Sequence, residues 1–250
     1  MSEFSEQLDW TLDGTDTSVI SAETTNGKIT IECSARDKVI VRAFKKVRAW
    51  RTLSAERFAK KVQVQVEQCG QEIKIYRKHP KPPWGISVSV TYEIQCPSAV
   101  DVNAHTKNGK IELNGDAKRV HASSKNGKIK LCGVAERICV TNKNGKIEAS
   151  VKRLTDEGKF VIKNGSIDIE IREGAAPVSA SAKNGSINLK LPSDWSGQLD
   201  AETSNGQVRS DFPLPFTDKS KKRFSGRIGE GGSVNVNLRT KNGSINLRKL

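Results

Sequence analysis

Along most of this chain apolar and polar side chains alternate one for one. Val120, Ala122 and Ser124, then Ile129 and Leu131, take every second position, and Ile138, Val140, Asn142, Ile147 and Ala149 repeat the arrangement one unit later. Period-two alternation sends successive side chains to opposite faces of a strand, so each unit predicts strand, corner, strand. The corner is Asn-Gly, at Asn26, Asn108, Asn126, Asn144, Asn164, Asn184, Asn205 and Asn242. From Asn108 the intervals are 18, 18, 20, 20, 21 and 37 residues, the last reading as two units with a degenerate one between. The surrounding text repeats too: TKNGKIEL (106–113), SKNGKIKL (124–131), NKNGKIEA (142–149), IKNGSIDI (162–169), AKNGSINL (182–189) and TKNGSINL (240–247). Self-similarity at so fixed a period marks a repeat architecture.

Two all-β folds satisfy this pattern. Asn-Gly is a strong hairpin signal because both residues accept positive φ, which predicts an antiparallel β-meander or sandwich. In a parallel β-solenoid, each 18–21-residue unit is instead one coil and Asn-Gly marks the same corner in each. Alternation turns the same residues inward in both. The repetition favours the solenoid, of about eight to ten coils, because identical corner residues would stack at the strand spacing of about 4.8 Å and stacked Asn side chains can hydrogen-bond along the axis.

The rest of the chain is less regular. Residues 1–97 read as an irregular N-terminal β part capping one end, and 98–250 as the regular repeat region, together one continuous body. The N-terminal part holds one early unit, SAETTNGKITIEC (21–33), and strands DKVIVRA (37–43), VQVQVE (62–67), EIKIY (72–76) and ISVSVTYEI (86–94). SAERFAKK (54–61) predicts one short helix with Ser54 as N-cap and Phe58 and Val62 on one face. RKHPKPPWG (77–85) is a loop, FPLPFTDKSKKRF (212–224) a Pro- and Lys-rich excursion, and the last coil an uncovered edge ending at Leu250, which predicts homo-oligomers or end-to-end assembly.

Composition agrees with strands. Of 52 Ile, Val and Leu, 39 are β-branched, and only 5% of residues are aromatic. No run approaches the ~18 apolar residues of a membrane helix, so no integral membrane segment is expected. The acidic, polar start MSEFSEQLDWTLDG lacks the basic and apolar regions of a secretory signal. Cys33, Cys69, Cys96, Cys132 and Cys139 form no Cys-x-x-Cys pair. Cys33 and Cys96 fall on inward parity, Cys132 and Cys139 on outward parity. Exposed thiols suit a reducing compartment, so a cytoplasmic location is expected.

Three stretches resemble a known family: the early unit Ser21 to Cys33, the serial Asn-Gly-x-Ile coils, and the close SGRIGEGGSVNVNLRTKNGSINL (225–247). Together they are similar to the bacterial and archaeal "putative adhesin" domain, also catalogued as a domain of unknown function. Gly226, Gly229, Gly231 and Gly232, followed by Thr240, Asn242, Gly243 and Ile245, are the most specific part. The resemblance covers nearly the whole chain. It implies an all-β, solenoid-like body and a non-enzymatic envelope or surface role, often beside a membrane anchor; this chain shows neither anchor nor signal.

Catalytic chemistry is hard to place. His79, His105 and His121 are the chain's three histidines. His105 and His121 lie 16 residues apart and would need Cys132 to suggest a metal; polar strand positions explain them more simply. Asp168 and Glu170 are lone outward carboxylates, whose equivalents one unit on are Asn188 and Lys190, unlike the carboxylate pair of a glycosidase. No Ser-His-Asp set and no Gly-rich phosphate loop occurs. No enzyme activity, cofactor or metal is expected.

Charge is the feature beyond scaffold. The formal net charge is +14, and residues 101–250 hold 27 Lys+Arg against 16 Asp+Glu. The excess is locked to the corners: Lys107, Lys125, Lys143, Lys163, Lys183 and Lys241 precede Asn-Gly, and Lys110, Lys128 and Lys146 follow it. Stacked coils would align these into one ridge of like charge, an electrostatic track for an anionic polymer or surface. The ridge lacks the aromatics that base stacking needs. Exposed lysines also block edge-to-edge aggregation, which alone would account for them. Trp84, in KPPWG, is the aromatic most suited to a contact loop.

Overall fold

The computed structural model describes residues 2–50, 52–174, 176–213, 221–229 and 234–250. In chain order the elements are β1 (Ser2–Asp13), β2 (Val19–Asn26), β3 (Ile29–Ser34), β4 (Lys38–Ala49), α1 (Thr52–Ala59), β5 (Gln63–Cys69), β6 (Glu72–Lys78), β7 (Ser87–Pro97), β8 (Asp101–Asn108) and β9 (Ile111–Gly115). Then come β10 (Arg119–Glu173), β11 (Val178–Asn184), β12 (Ile187–Leu191), β13 (Gly197–Asn205), β14 (Val208–Ser210), β15 (Arg223–Ile228), β16 (Asn235–Asn242) and β17 (Ile245–Lys249). All strands belong to one mixed sheet. The protein is all-β with one short helix. β10 is long because it runs through the corners at Asn126, Asn144 and Asn164 without losing its hydrogen-bonded partners.

The Asn-Gly corners are not hairpins. β2 and β3 flank Asn26-Gly27, yet β2 pairs in parallel with β8 and β3 with β9, bringing Asn26 opposite Asn108 and Ile29 opposite Ile111. β8 and β9 pair in turn with the first unit of β10, and later β10 with β11 and β12. The backbone explains this. A two-residue type I′ turn needs positive φ at both central residues, whereas here the glycines alone take it, as at Gly127 (+150°) and Gly145 (+134°). Each corner is therefore a bend between strands that find their partners in neighbouring units.

Alternation then fills the interior. Ile29, Ile111, Ile129, Ile147, Ile167, Ile187 and Ile245, each three residues after a corner Asn, are fully buried and stand in register across units. Burying each side chain contributes about 1.5–3 kcal/mol. A second inward column, two residues before each corner Asn, is partly polar: Thr24, Thr106, Ser124, Asn142, Thr203 and Thr240 are buried. Thr203 and Thr240 donate to the carbonyls of Gly243 and Gly185 at 2.8 Å, and Asn142 Nδ2 to that of Gly127 at 2.8 Å. These side chains tie the inner wall of one unit to the corner of the next.

The corner asparagines form a single chain of hydrogen bonds. From Asn108 onward each Nδ2 donates to the Oδ1 of the asparagine before it at 2.7–2.8 Å, in the spatial order Asn26, Asn108, Asn126, Asn144, Asn164, Asn184, Asn242, Asn205, and Asn26 Nδ2 donates to the Val88 carbonyl at 3.1 Å. The order departs from the sequence in its last two members. β16 lies between β11 and β13, and β17 between β12 and β14, all in parallel. Among the described residues no degenerate unit thus separates the Asn205 and Asn242 units, which are direct neighbours, and β16 and β17 are interior instead of an open edge. The intervening segment contributes β15, which pairs antiparallel with β13 and covers that flank. Residues 214–220 of the excursion, with Gly231 and Gly232, lie outside the described residues.

The other end is closed by antiparallel strands. β2 also pairs with β6 and β3 with β7, in parallel. β6 then pairs antiparallel with β5, and β7 with β4, which pairs with β1. α1 starts at Thr52, so Ser54 sits inside the helix and is not its N-cap. Phe58 and Val62 are both buried, as their spacing predicts. The helix end is closed by Lys45, 7% exposed, which donates to the carbonyls of Ala59 (3.2 Å) and Val62 (3.3 Å) and pairs with Glu6 at 2.5 Å.

Candidate functional site

Register carries the side chain before each corner Asn into one line. In spatial order that line reads Lys107, Lys125, Lys143, Lys163, Lys183 and Lys241, six lysines on six consecutive units, flanked by Thr25 at one end and Ser204 at the other. All six are exposed, and none makes an ion pair among the described residues. At the strand interval of about 4.8 Å, neighbouring ammonium groups repel by roughly 1 kcal/mol even in water. The row therefore stores repulsion that a bound anion would relieve, and bulk salt screens it over about 8 Å.

The lysines after the corners behave differently, and the single ridge expected from sequence divides in two. Lys110 pairs with Glu112, as does Lys28. Lys128 reaches Glu148 at 2.6 Å, and Lys146 bridges Glu148 (2.9 Å) and Asp168 (2.7 Å). The cause is alternation: in Lys-Ile-Glu the lysine and glutamate share one outward face, and register then brings the next unit's lysine to the same carboxylate. Glu112 is held at about 2 by Lys110 and Lys28, Glu148 is lowered by Lys128 and Lys146, and Lys146 is raised by Asp168 and Glu148. Lys110, Lys128 and Lys146 are thus neutralised in place.

Beside the unpaired row runs a groove of about 840 Å³. Its floor is the next outward column of the same strands, where Ser123, Thr141, Val161 and Ser181 present three hydroxyls and one aliphatic side chain between His105 at one end and Arg239 and Glu202 at the other, and Lys125, Lys143, Lys163, Lys183 and Lys241 form its wall. The small residues in the middle of the floor leave the ammonium groups of Lys125, Lys143, Lys163 and Lys183 standing above the surface. The groove runs across the strands, so a linear ligand in it would pass one lysine per unit. Sequence reading missed this floor, although the pattern was present as Ser or Thr three residues before the corner Asn in SSKN and TNKN.

The remaining candidates are dispersed. His121 stands opposite Asn103, and His105 opposite Ser123, so the two rings are not partners, and Cys132 lies opposite Asn114 on another strand pair. Asp168 is tied to Lys146 and accepts from Asn188 Nδ2, while Glu170 pairs with Arg172 and Lys190. Cys33 and Cys96 are buried side by side, their sulfurs 3.4 Å apart; Cys132 is exposed and Cys139 half-buried. Trp84 is 94% exposed, whereas Trp195 packs edge-to-face on Phe212 at 6.4 Å. No helix among the described residues is long and apolar enough to cross a membrane.

In-register strand units, a continuous asparagine ladder and a lysine-walled groove define a repeat-built all-β protein with an extended outer face. The chain belongs to the Toastrack family, DUF4097, whose profile matches residues 3–248. Among solved structures it is similar to a "putative cell adhesion protein" of Clostridium sporogenes, at 12% identity over 99% of this chain and 100% of that one, TM-score 0.35. It is also similar to a "putative adhesin" of Bacteroides fragilis, at 12% identity over 98% and 97%, TM-score 0.38. A third is a "putative lipid binding protein" of Parabacteroides distasonis, at 11% identity over 98% and 96%, TM-score 0.38. No curated protein matches the chain.

Proposed function

We propose that this protein is a non-enzymatic, adhesion-type binding scaffold. In this reading each unit is one coil of a parallel β-solenoid, and an anionic polymer lies in the groove along the six-lysine row. The parallel registers between units support the solenoid. The row itself carries the functional reading, because six consecutive ammonium groups that pair with no carboxylate among the described residues contrast with Lys110, Lys128 and Lys146 across the corners, which are paired. A solubility device needs no such segregation. The outward carboxylates suit a scaffold better than acid–base catalysis, since Glu112 and Glu148 are held ionised by their lysines. Hydroxyls on the floor suit a carboxylated or sulfated sugar chain, and no aromatic stacks there to favour bases.

The test is retention on heparin as salt is raised, for the protein and for Lys125→Gln, Lys143→Gln and Lys163→Gln combined. Loss of three contacts should lower the salt dependence of log K by about 2, at roughly 0.7 per released counterion. Elution at low salt that the three substitutions leave unchanged would refute the polyanion reading.

A further inference from the structure

The end of the body that carries α1 holds out two indole rings. Trp84 is 94% exposed and Trp50 70%. They belong to one patch, for the Trp50 ring lies over Gly85, where an added Cβ would stand 2.8 Å from its Cδ1. The helix is tied to the same loop by Phe58, whose ring meets that of His79 edge-on at 6.2 Å. Pro80, Pro82 and Pro83 stiffen the loop, and Ile86 N–H donates to the Pro83 carbonyl at 3.2 Å, closing the turn that lifts Trp84. Two indoles presented this way are supported by the fold and covered by nothing within it.

Cations surround them. Arg57, Lys60 and Lys61 at the end of α1, with Lys78 at the end of β6 and Lys81 on the loop, are exposed and make no ion pair among the described residues. Lys78 stands opposite Gln63, two residues along the chain from Lys61. Within 56–61 and 77–85 the one carboxylate is Glu56. Indole rings partition to the headgroup layer of a bilayer, where an apolar body and a polar N–H are both satisfied. Clustered lysines at the same level are attracted to anionic headgroups, by about five-fold in affinity per cation.

We propose that this tip docks the protein on an anionic lipid bilayer, with Trp84 and Trp50 entering the headgroup layer and Lys60, Lys61, Lys78 and Lys81 facing anionic headgroups. A broad plane of negative charge fits cations spread over a helix end and a loop. A concave protein partner would need an opposing acidic pocket shaped to both. The site is separate from the lysine row, so neither reading depends on the other.

The experiment uses the intact protein with vesicles of phosphatidylcholine alone or with phosphatidylglycerol added, read by co-sedimentation and by tryptophan emission. Binding and a blue shift are expected with phosphatidylglycerol and not without it. Trp84→Ala should weaken binding at least ten-fold with the fold intact, since that side chain has almost no packing to lose, and Lys60→Gln, Lys61→Gln and Lys81→Gln together about a hundred-fold. The Lys125, Lys143 and Lys163→Gln protein should bind the vesicles as the unaltered protein does. No binding to anionic vesicles, binding indifferent to Trp84→Ala, or binding abolished by the row substitutions alone would overturn the proposal.

Discussion

Replacing Gly145 by alanine tests the way the units are joined. Gly145 has φ +134°, and a Cβ built there would stand 1.9 Å from the carbonyl oxygen of Gly127 and 2.7 Å from its carbon. Relief requires a backbone shift of about 1 Å, because Cβ contacts below 3.0 Å essentially never occur. The groups that must move are held in place: Asn142 donates to the same Gly127 carbonyl, and Asn144 donates to Asn126 at 2.7 Å. The φ strain costs about 1–3 kcal/mol, and losing two such hydrogen bonds adds about 0.5–1.5 kcal/mol each. The sum is about 2–6 kcal/mol, or on the order of 10 °C in Tm for a chain of this size. Gly70→Ala supplies the comparison: φ is +60° there and nothing lies within 4 Å, so the left-handed conformation alone costs about 1–2 kcal/mol. Urea unfolding followed by circular dichroism measures both. If Gly145→Ala lost less than about 1 kcal/mol, or no more than Gly70→Ala, corner-to-corner contact would not be what fixes the glycine.

Asn144→Ala removes one donor and one acceptor from the ladder; because Asn144 is half-buried and water can reach its neighbours, the loss should be about 1–2 kcal/mol by the same unfolding assay. Lys45→Met removes the ammonium donor from the Ala59 and Val62 carbonyls, the first of which keeps the Val62 N–H, and should cost about 1–3 kcal/mol, with α1 losing hydrogen-exchange protection before the sheet does. Glu112, with an ordinary value of 4.5, sits at about 2 in the folded protein. Its carboxylate therefore stabilises the fold fully above pH 4.5, and that contribution is lost as pH falls from 4.5 towards 2. Solvent screening reduces the effect to about 1 kcal/mol. Glu112→Gln should flatten the acid limb of stability against pH, and a limb unchanged by the substitution would contradict the pairing.

Much of the architecture was legible because a strand's period is two and the units repeat. The inward column from Val102 to Leu191 and the burial of Cys33 and Cys96 follow from parity alone. Lys128 was visible as a charge but not as a paired charge, since its partner Glu148 lies one unit away, a matter of register, whereas Lys110 pairs with Glu112 on the same strand face, within its own KIE. β1 was missed because Glu6 interrupts its apolar face of Phe4, Leu8, Trp10 and Leu12, and only the depth of Lys45 explains a carboxylate there. The exchange of the last two units had no signal at all. Sequence order is the natural guide to stacking order, and nothing in SNGQVRS or KNGSINL says which lies outermost.

That exchange bears on how the protein is made. At the α1 end, the unit in the middle of three, built from β2 and β3, is synthesised before both of its neighbours, which can add to its two faces as they emerge. At the other end the middle unit, β16 and β17, is synthesised after both of the units it separates. Until it arrives, Asn184 and Asn205 face a vacancy one strand wide, and the two units can close on each other as a well-matched but wrong pair. Order of synthesis thus favours template growth at one end and requires late insertion of β16 and β17 at the other.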